Sequence, residues 1–315
     1  MRELRIVFMG TPDFAVATLN AILKAKFNVV GVITAPDKPA GRGRKINQSA
    51  VKTYALEEGL KILQPTNLKN EEFLDELKSL KANLQIVVAF RMLPNIVWKM
   101  PEFGTFNLHA SLLPNYRGAA PINWAIINGE TKTGVSTFFI DEKIDTGNII
   151  LQEEVLIDEN EIVGELHDKL MLVGSNLVVK TIKKIEQGPV KTIKQPEIEE
   201  KPAPKIFTET CKIDWNDSLC NIYNLIRGLN PYPAAWTTLI NNNEEIYWLL
   251  IFPSISILSF NSFFPEIFNG GKPSFSMYSI SAPKSRKAST NILIGLFFIL
   301  CEPVNTISEF SLTEK

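Results

Sequence analysis

The sequence predicts an α/β fold with a Rossmann-like, mostly parallel sheet that carries helices on both faces. Two observations lead to this class. Short apolar runs at residues 4–9, 28–34 and 84–90 are typical of buried parallel strands. Segments with helical spacing of apolar residues separate these runs, and strand–helix alternation is the pattern of parallel sheets. Because such sheets bind ligands beyond the carboxyl ends of their strands, we expect functional residues there.

The other elements of this first domain follow from apolar spacing and from stop signals. Gly59 and Gly129 end predicted helices, and a Gly-Pro pair at 188–189 ends a long amphipathic helix. His167 lies within that helix, and we expect it to be a structural or surface histidine. The predicted helices cover 13–27, 48–58, 70–81, 119–128 and 161–186, and further strands are predicted at 61–63, at 103–106 and around a charged loop within 138–150.

A second, smaller domain is expected after residue 205. Residues 195–204 contain three prolines and alternating charges, which is typical of an extended linker. We therefore divide the chain into a main domain at 1–189, a linker at 190–205 and a C-terminal domain at 206–315.

Charge and cysteine content limit the classes of function. The 315 residues have a formal net charge of −1, so any nucleic-acid binding must use a local basic patch. The three cysteines form no Cys-x-x-Cys pair, which argues against a zinc site and fits a reducing, cytoplasmic environment. The polar start at Met1 runs straight into a strand, and the longest apolar run covers about half a membrane span, so we expect neither a secretory signal nor a membrane segment.

One of the two histidines follows an asparagine near a predicted strand end. Asn107 and His109 are two positions apart, and alternation in an extended segment points both side chains to one face. An amide can donate to a developing oxyanion and an imidazole can handle a proton, so the pair suits acyl transfer. Taken alone, these residues also fit a plain strand end with a histidine bonded inside the core.

A carboxylate in a tight turn adds to this pattern. Asp145-Thr146-Gly147 lies between two apolar strands, where an aspartate alone is usually a turn former. The stretch Asn-x-His-x-Ser-Leu-Leu-Pro at 107–114, followed by Asp-x-x-x-Asp-Thr-Gly at 141–147, resembles the formyltransferases that use 10-formyltetrahydrofolate.

Three further segments are similar to the methionyl-tRNA formyltransferases. They are the opening strand and turn at 4–15, the basic loop at 35–45, and residues 213–215 with 226–237, which resemble the beginning of that family's C-terminal domain. The resemblance extends over residues 4–245. It implies a catalytic domain at 1–189 followed by a smaller β-rich, barrel-like domain that helps to bind tRNA.

The resemblance also implies a role for each part of the site. Asn107 would donate to the oxyanion, and His109 would stabilise it and help to protonate the leaving N10 atom of the folate. Asp145 would orient His109, or accept the proton of the attacking amine through water. The residues implied to bind folate are Phe90, Arg91, Met92, Ser111, Leu112, Leu113 and Pro114. The residues implied to bind tRNA phosphates are Arg42, Arg44 and Lys45, in a loop whose glycines and prolines give an adaptable backbone.

The implied activity is transfer of a formyl group from 10-formyltetrahydrofolate to the α-amino group of initiator methionyl-tRNA, for translation initiation. We expect a monomer that needs no metal ion. Formyltransferases that act on sugar nucleotides or on glycinamide ribonucleotide share the catalytic trio and are alternatives, and a non-catalytic folate- or RNA-binding relic is another.

The end of the chain departs from the resemblance. Residues 246–315 contain no Asp, a single Val and nine of the 19 phenylalanines, and signals for hairpin turns are poorly spaced there. We favour a frameshifted or otherwise altered reading of the gene over a divergent but folded domain, so the barrel-like domain is expected to be atypical or truncated. An altered tail would leave the strand begun at 236–240 without its partners.

Overall fold

A computed structural model describes residues 2–40, 45–197, 201–241, 244–252 and 297–299. The chain divides into two compact units. The first comprises residues 1–122, 131–157 and 166–205, and the second comprises 123–130, 158–165 and 206–315.

The first unit contains a mostly parallel sheet, which confirms the predicted fold class. Its strands are β1 (Ile6–Gly10), β2 (Val29–Ile33), β3 (Lys38–Ala40), β4 (Lys45–Asn47), β5 (Ile62–Leu63), β6 (Leu84–Val88), β7 (Thr105–His109), β8 (Lys132–Phe139) and β9 (Ile149–Leu156). Seven of them form one sheet in the order β5-β2-β1-β6-β7-β8-β9. Pairing is parallel from β5 to β7 and antiparallel from β7 to β9. The chain first builds outward from β1 towards β5 and then returns to β6 on the other side of β1, which creates a switch point of the kind that binds ligands.

Apart from a short helix at 95–98, the described helices of this part of the chain begin and end close to the predicted positions. They are α1 (Asp13–Lys24), α2 (Ala50–Glu57), α3 (Glu71–Ser79), α4 (Asn95–Trp98), α5 (Pro121–Ile127) and α6 (Val163–Gln187). The side chains of Ser49 and Asn70 accept backbone N–H groups at the starts of α2 and α3, which explains where both helices begin. A proline starts α5, where its missing N–H costs nothing.

Three local features differ from the sequence prediction. The strand predicted at 103–106 runs to His109, because β7 continues to pair with β6 on one side and with β8 on the other. Asn107 and His109 therefore lie inside the strand rather than after it. The basic loop is a hairpin, since β3 and β4 pair antiparallel on either side of residues 41–44. The short helix α4, which follows Pro94, was not predicted.

The central strands are buried along their whole length. All five residues of β1 and all five of β6 are buried, as continuous apolar runs in a two-sided parallel sheet require. The largest fully buried side chains include Phe8, Phe106 and Phe138. At about 25 cal/mol per Å² of apolar surface, such residues supply most of the stabilisation of this unit, and they hold the strand ends in fixed positions.

The second unit contains a helix and antiparallel strands after residue 206. Helix α7 (Leu219–Gly228) precedes β10 (Ala235–Asn241) and β11 (Glu244–Phe252), and β11 also pairs with β12 (Phe297–Ile299). A small core forms around Cys211, Ile226 and Trp236. The strand begun at Trp236 has a partner in β11, so the expectation that it lacks one is wrong. The departure in composition from the resemblance begins at Ile246. Of residues 246–315, the structure describes 246–252 and 297–299.

No helix in the described parts of the chain is long and apolar enough to cross a membrane. Within the same residues, no group of three or more His, Cys, Asp or Glu side chains has the arrangement of a metal site.

Candidate active site

Asn107 and His109 lie at the carboxyl end of β7. Asn107 pairs with Val87 on β6 and Phe138 on β8, and His109 pairs with Ser136. Because the two residues are separated by one position in a strand, their side chains share a face of the sheet. The side-chain amide of Asn107 makes no hydrogen bond within the described residues, so its N–H donors are available to a ligand.

Two contacts orient the imidazole of His109. Its Nε2 atom lies 2.7 Å from the carbonyl oxygen of Tyr116, and its Nδ1 atom lies 3.7 Å from Oδ2 of Asp145. Since a carbonyl oxygen only accepts hydrogen bonds, Nε2 carries the hydrogen in this arrangement. The nitrogen that faces the carboxylate is therefore Nδ1. With side chains only 7% and 14% exposed, His109 and Asp145 interact away from bulk water.

The turn at residues 145–147 places the carboxylate of Asp145 beside His109. Asp145 has a φ of 54°, in the left-handed region that Asp and Asn tolerate better than most residues. Its Oδ2 atom accepts a hydrogen bond of 2.9 Å from the backbone N–H of Gly118. A Cβ at Gly147 would lie 1.6 Å from the carbonyl oxygen of Phe139, so only glycine fits there. The glycine of the Asp-Thr-Gly sequence thus follows from the space at the turn.

The loop after β7 is fixed by internal hydrogen bonds. The hydroxyl of Ser111 is buried and donates to the carbonyl of Asn115 at 2.7 Å. Ser136 donates to the carbonyl of Ser111 and accepts from the N–H of Leu113, while Gln152 donates to the carbonyl of Leu113. Two of the predicted folate ligands, Ser111 and Leu113, are therefore buried and hold the loop, Ser111 through its hydroxyl and Leu113 through its backbone. Leu112 and Pro114 are half-buried.

The loop after β6 contains the other predicted folate ligands. Arg91 stacks over the ring of Phe90 at 5.7 Å, and it donates hydrogen bonds to the carbonyls of Pro65 and Thr66. Met92 is 69% exposed. The guanidinium of Arg91 is thus hydrogen bonded to the loop at 65–66, while the side chain of Met92 is exposed to solvent.

Of the three predicted tRNA ligands, Lys45 lies in the described part of the hairpin of β3 and β4. Arg42 and Arg44 are outside the described residues, and the backbone of Lys45 pairs with Ala40. Just before this hairpin, Asp37 accepts a hydrogen bond from Gln64 and pairs with Lys52 at 2.5 Å. The hydrogen bonds from Gln64 and Lys52 lower the pKa of Asp37, which favours the ionised carboxylate that pairs with Lys52 just before the hairpin.

Two buried polar residues at the site were not predicted. Arg117 and Gln195 are only 6% and 5% exposed, and they are hydrogen bonded to each other. Neither belongs to a motif with a chemical signature, and Gln195 falls in the segment predicted to be a linker. A long-range contact between residues 78 positions apart leaves no trace in local sequence pattern.

The comparisons with known proteins agree with this architecture. A family model described as formyl transferase matches residues 4–182, and one described as formyl transferase, C-terminal domain, matches 205–254, which extends past Ile246. A methionyl-tRNA formyltransferase from Flavobacterium johnsoniae is 65% identical over 247 residues, 78% of each chain. One from Bacteroides fragilis is 58% identical over 256 residues, which cover 80% of this chain and 79% of the relative.

Solved structures share the fold at lower identity. A 4-N formyltransferase from Francisella tularensis has a TM-score of 0.61 at 20% identity, covering 78% of this chain and 96% of that one. HypX from Aquifex aeolicus in complex with tetrahydrofolic acid has a TM-score of 0.58 at 17% identity, covering 81% of this chain and 39% of that one. Identity to the curated relatives over more than three quarters of the chain leads to one conclusion: the chain belongs to the methionyl-tRNA formyltransferase family of formyl transferases.

Proposed function

We propose that the chain transfers a formyl group from 10-formyltetrahydrofolate to the α-amino group of methionine on initiator tRNA, acting as a cytoplasmic monomer. Relatives at 58–65% identity are named for methionyl-tRNA, and the related fold of HypX binds tetrahydrofolic acid. The observation on which the chemistry rests is the carboxylate of Asp145 at 3.7 Å from the imidazole of His109, whose side chain shares a face of β7 with the amide of Asn107.

The reaction exchanges one carbon–nitrogen bond for another. The free amine of the methionyl ester attacks the formyl carbon, and the carbonyl becomes a tetrahedral oxyanion. Asn107 donates to that oxyanion from the strand end, where its amide has no other partner in the described structure. When the intermediate collapses, the bond between the formyl carbon and N10 breaks, and the formyl group remains on the methionine nitrogen.

Protons must move in the opposite direction to the formyl group. The attacking amine loses a proton, and N10 must gain one to leave as tetrahydrofolate. Asp145 accepts the amine proton through water or orients His109, and His109 stabilises the oxyanion and supplies a proton to N10. Because Nε2 is bonded to the carbonyl of Tyr116, the exchanging nitrogen of His109 is Nδ1. The net transfer is one proton from the amine to N10, so the enzyme ends each cycle unchanged.

The two substrates contact different loops in this proposal. The loops at 90–92 and 111–114 flank the end of the sheet and line the folate site, with apolar walls and backbone polar groups suited to a flat heterocycle. Arg42, Arg44 and Lys45 bind phosphates of the tRNA acceptor end, for which cationic side chains are required.

The test is formylation of charged initiator tRNA by the purified chain with 10-formyltetrahydrofolate as donor. His109→Ala and Asn107→Ala should each lower single-turnover formylation by roughly 100-fold or more, the usual result of losing a proton-transfer group or an oxyanion donor. Folate affinity should change much less than turnover, because neither side chain is proposed to bind the pteridine.

His167→Ala is the matched control, since it removes the other histidine of the chain, which is 40% exposed and paired with Asp168. Its turnover should stay within about twofold of wild type, as for most surface substitutions. An amino-sugar nucleotide and glycinamide ribonucleotide serve as competing acceptors. Faster formylation of either one than of methionyl-tRNA, or near-normal turnover of His109→Ala, would contradict the proposal.

A further inference from the structure

The segment that follows α6 passes beside the turn at residue 145. We call residues 193–203 the connecting segment, of which the structure describes 193–197 and 201–203. Ile193 at its start forms a β-bridge with Ile149, and Ala203 at its end forms one with Gly118. The segment is therefore fixed at both ends to elements that surround the site.

Gln195 is the buried polar side chain of this segment. Its amide nitrogen donates to two carbonyl oxygens, at 3.0 Å to Asp145 and at 2.7 Å to Gly147. Its amide oxygen accepts from Nη2 of Arg117 at 2.8 Å and from Nε of the same side chain at 3.2 Å. Both donors and both acceptor positions of the amide are thus used. A side chain with every polar atom satisfied at 5% exposure has one stable orientation.

The two partners of Gln195 lie on the two loops that position the His109–Asp145 pair. On one side, Gln195 is hydrogen bonded to the carbonyls of Asp145 and Gly147, at the two ends of the turn. The backbone of Asp145 has a left-handed conformation in this turn. A non-glycine residue in that region persists only where its surroundings hold it. Gln195 supplies two of those restraints.

On the other side, Arg117 is the middle residue of a loop whose neighbours touch both members of the pair. The carbonyl of Tyr116 contacts Nε2 of His109, and the N–H of Gly118 donates to the carboxylate of Asp145. The connecting segment also holds this loop through its backbone, because the N–H of Ala203 donates to the carbonyl of Arg117 at 2.8 Å. The side chain of Gln195 thus connects the loop at 116–118, which contacts the imidazole of His109, to the turn at 145–147, which carries the carboxylate.

We propose that Gln195 is a positioning residue for formyl transfer, which sets the separation of His109 and Asp145 by tying the turn at 145–147 to the side chain of Arg117. This inference rests on the proposed roles of His109 and Asp145. Gln195 does not touch the reacting atoms, so its effect must pass through the geometry of the His109–Asp145 pair. Positioning errors of about 1 Å are enough to cost a large factor in rate.

The first test compares Gln195→Glu with Gln195→Ala by kcat and KM. Glutamate keeps the shape and can still accept from Arg117, but an ionised carboxylate cannot donate to the carbonyls of Asp145 and Gly147. Both variants should lower kcat by roughly 10- to 100-fold, because Gln195→Glu loses the two buried hydrogen bonds to the turn and Gln195→Ala loses these together with the two from Arg117. KM for the donor and for methionyl-tRNA should change less than about threefold, because the substrate contacts remain. Glu197→Gln, an exposed substitution in the same segment, should have no effect.

The decisive test is a double-mutant cycle with Asp145→Ala, measured by single-turnover formylation. If Gln195 acts by setting the separation of His109 and the Asp145 carboxylate, adding Gln195→Ala to Asp145→Ala should cost less than about threefold, because that carboxylate is already gone. The same fold-loss in both backgrounds would overturn the inference, and so would wild-type kcat in Gln195→Glu. Wild-type turnover of Asp145→Ala is a separate outcome that would overturn the proposed role of Asp145 itself. Should Gln195→Ala fail to fold, the isosteric Gln195→Glu completes the same cycle.

Discussion

Replacing Asp145 with asparagine removes one charge from the site and little else. Asparagine has nearly the same shape, and its oxygen can still accept from the N–H of Gly118 at 2.9 Å. What disappears is the interaction between a carboxylate and the imidazole 3.7 Å away. Unit charges at that distance interact by about 4 kcal/mol at an effective dielectric constant of about 20. Because each 1.4 kcal/mol is about a tenfold change, a full charge on the ring in the transition state would make the loss about 1,000-fold, and a partial charge about 100-fold.

The assay is single-turnover formylation at saturating donor, with parallel measurements of affinity for folate and for methionyl-tRNA. Glu142→Gln is the matched control, since it removes one negative charge from the same loop at an exposed side chain that pairs with Lys99. The control should be near wild type at all salt concentrations. If Asp145→Asn formylates as fast as Glu142→Gln, the carboxylate does not act on His109 in the transition state.

Two further substitutions test the substrate loop and the turn. Arg42→Ala should weaken the apparent affinity for methionyl-tRNA without changing folate binding. It should also reduce the slope of log affinity against log salt by about 1, as for one lost phosphate contact. An unchanged affinity for methionyl-tRNA at low salt would contradict this prediction. Gly147→Ala should destabilise the first unit by about 3 kcal/mol and lower turnover, because a Cβ would lie 1.6 Å from the carbonyl oxygen of Phe139 and must displace the turn.

Each of these two predictions has a control in the same chain. Lys78→Ala removes an exposed cation that pairs with Asp75, and it should leave affinity for methionyl-tRNA unchanged. Gly59→Ala adds a methyl group where nothing lies within 4 Å, although the φ of Gly59 is 65°. It should cost about 1 kcal/mol from backbone strain alone, with normal turnover. Equal destabilisation by Gly147→Ala and Gly59→Ala in thermal unfolding would show that the turn can adapt.

The fold class was predictable because apolar runs and helix signals are local. The buried strands β1 and β6 are continuous apolar runs in the sequence, and their class is confirmed. The hairpin of β3 and β4 escaped prediction because Lys38–Ala40 and Lys45–Asn47 contain polar residues and a proline, with no alternation to indicate strands. The end of β7 was misplaced because pairing with two neighbours, rather than local composition, extends it to His109.

The candidate site was predictable only where a side chain has a chemical signature. His109 and Asp145 stood out by residue type and spacing, and the structure brings them within 3.7 Å, while their roles stay predictions. Nothing in the sequence indicated that Gln195 and Arg117 belong to the site, because their contact joins segments 78 positions apart. The division at 190–205 also stays a prediction, although Gln195 in that segment is buried and belongs to the first compact unit.

The residues that hold His109 and Asp145 in place differ in whether their side chains could be replaced. Tyr116 and Gly118 contact the pair through backbone atoms, so the chemistry of their side chains does not decide these contacts. At Gly118 space decides instead, since a Cβ there would lie 2.4 Å from the carbonyl oxygen of Ala203 and the φ is 122°. Gln195 is the exception, because it acts through a side chain that must donate and accept at once. Among single residues, asparagine offers the same groups on a shorter stem, and glutamate has the length without the donors. The requirement for glutamine at this position therefore follows from reach and hydrogen-bonding capacity together.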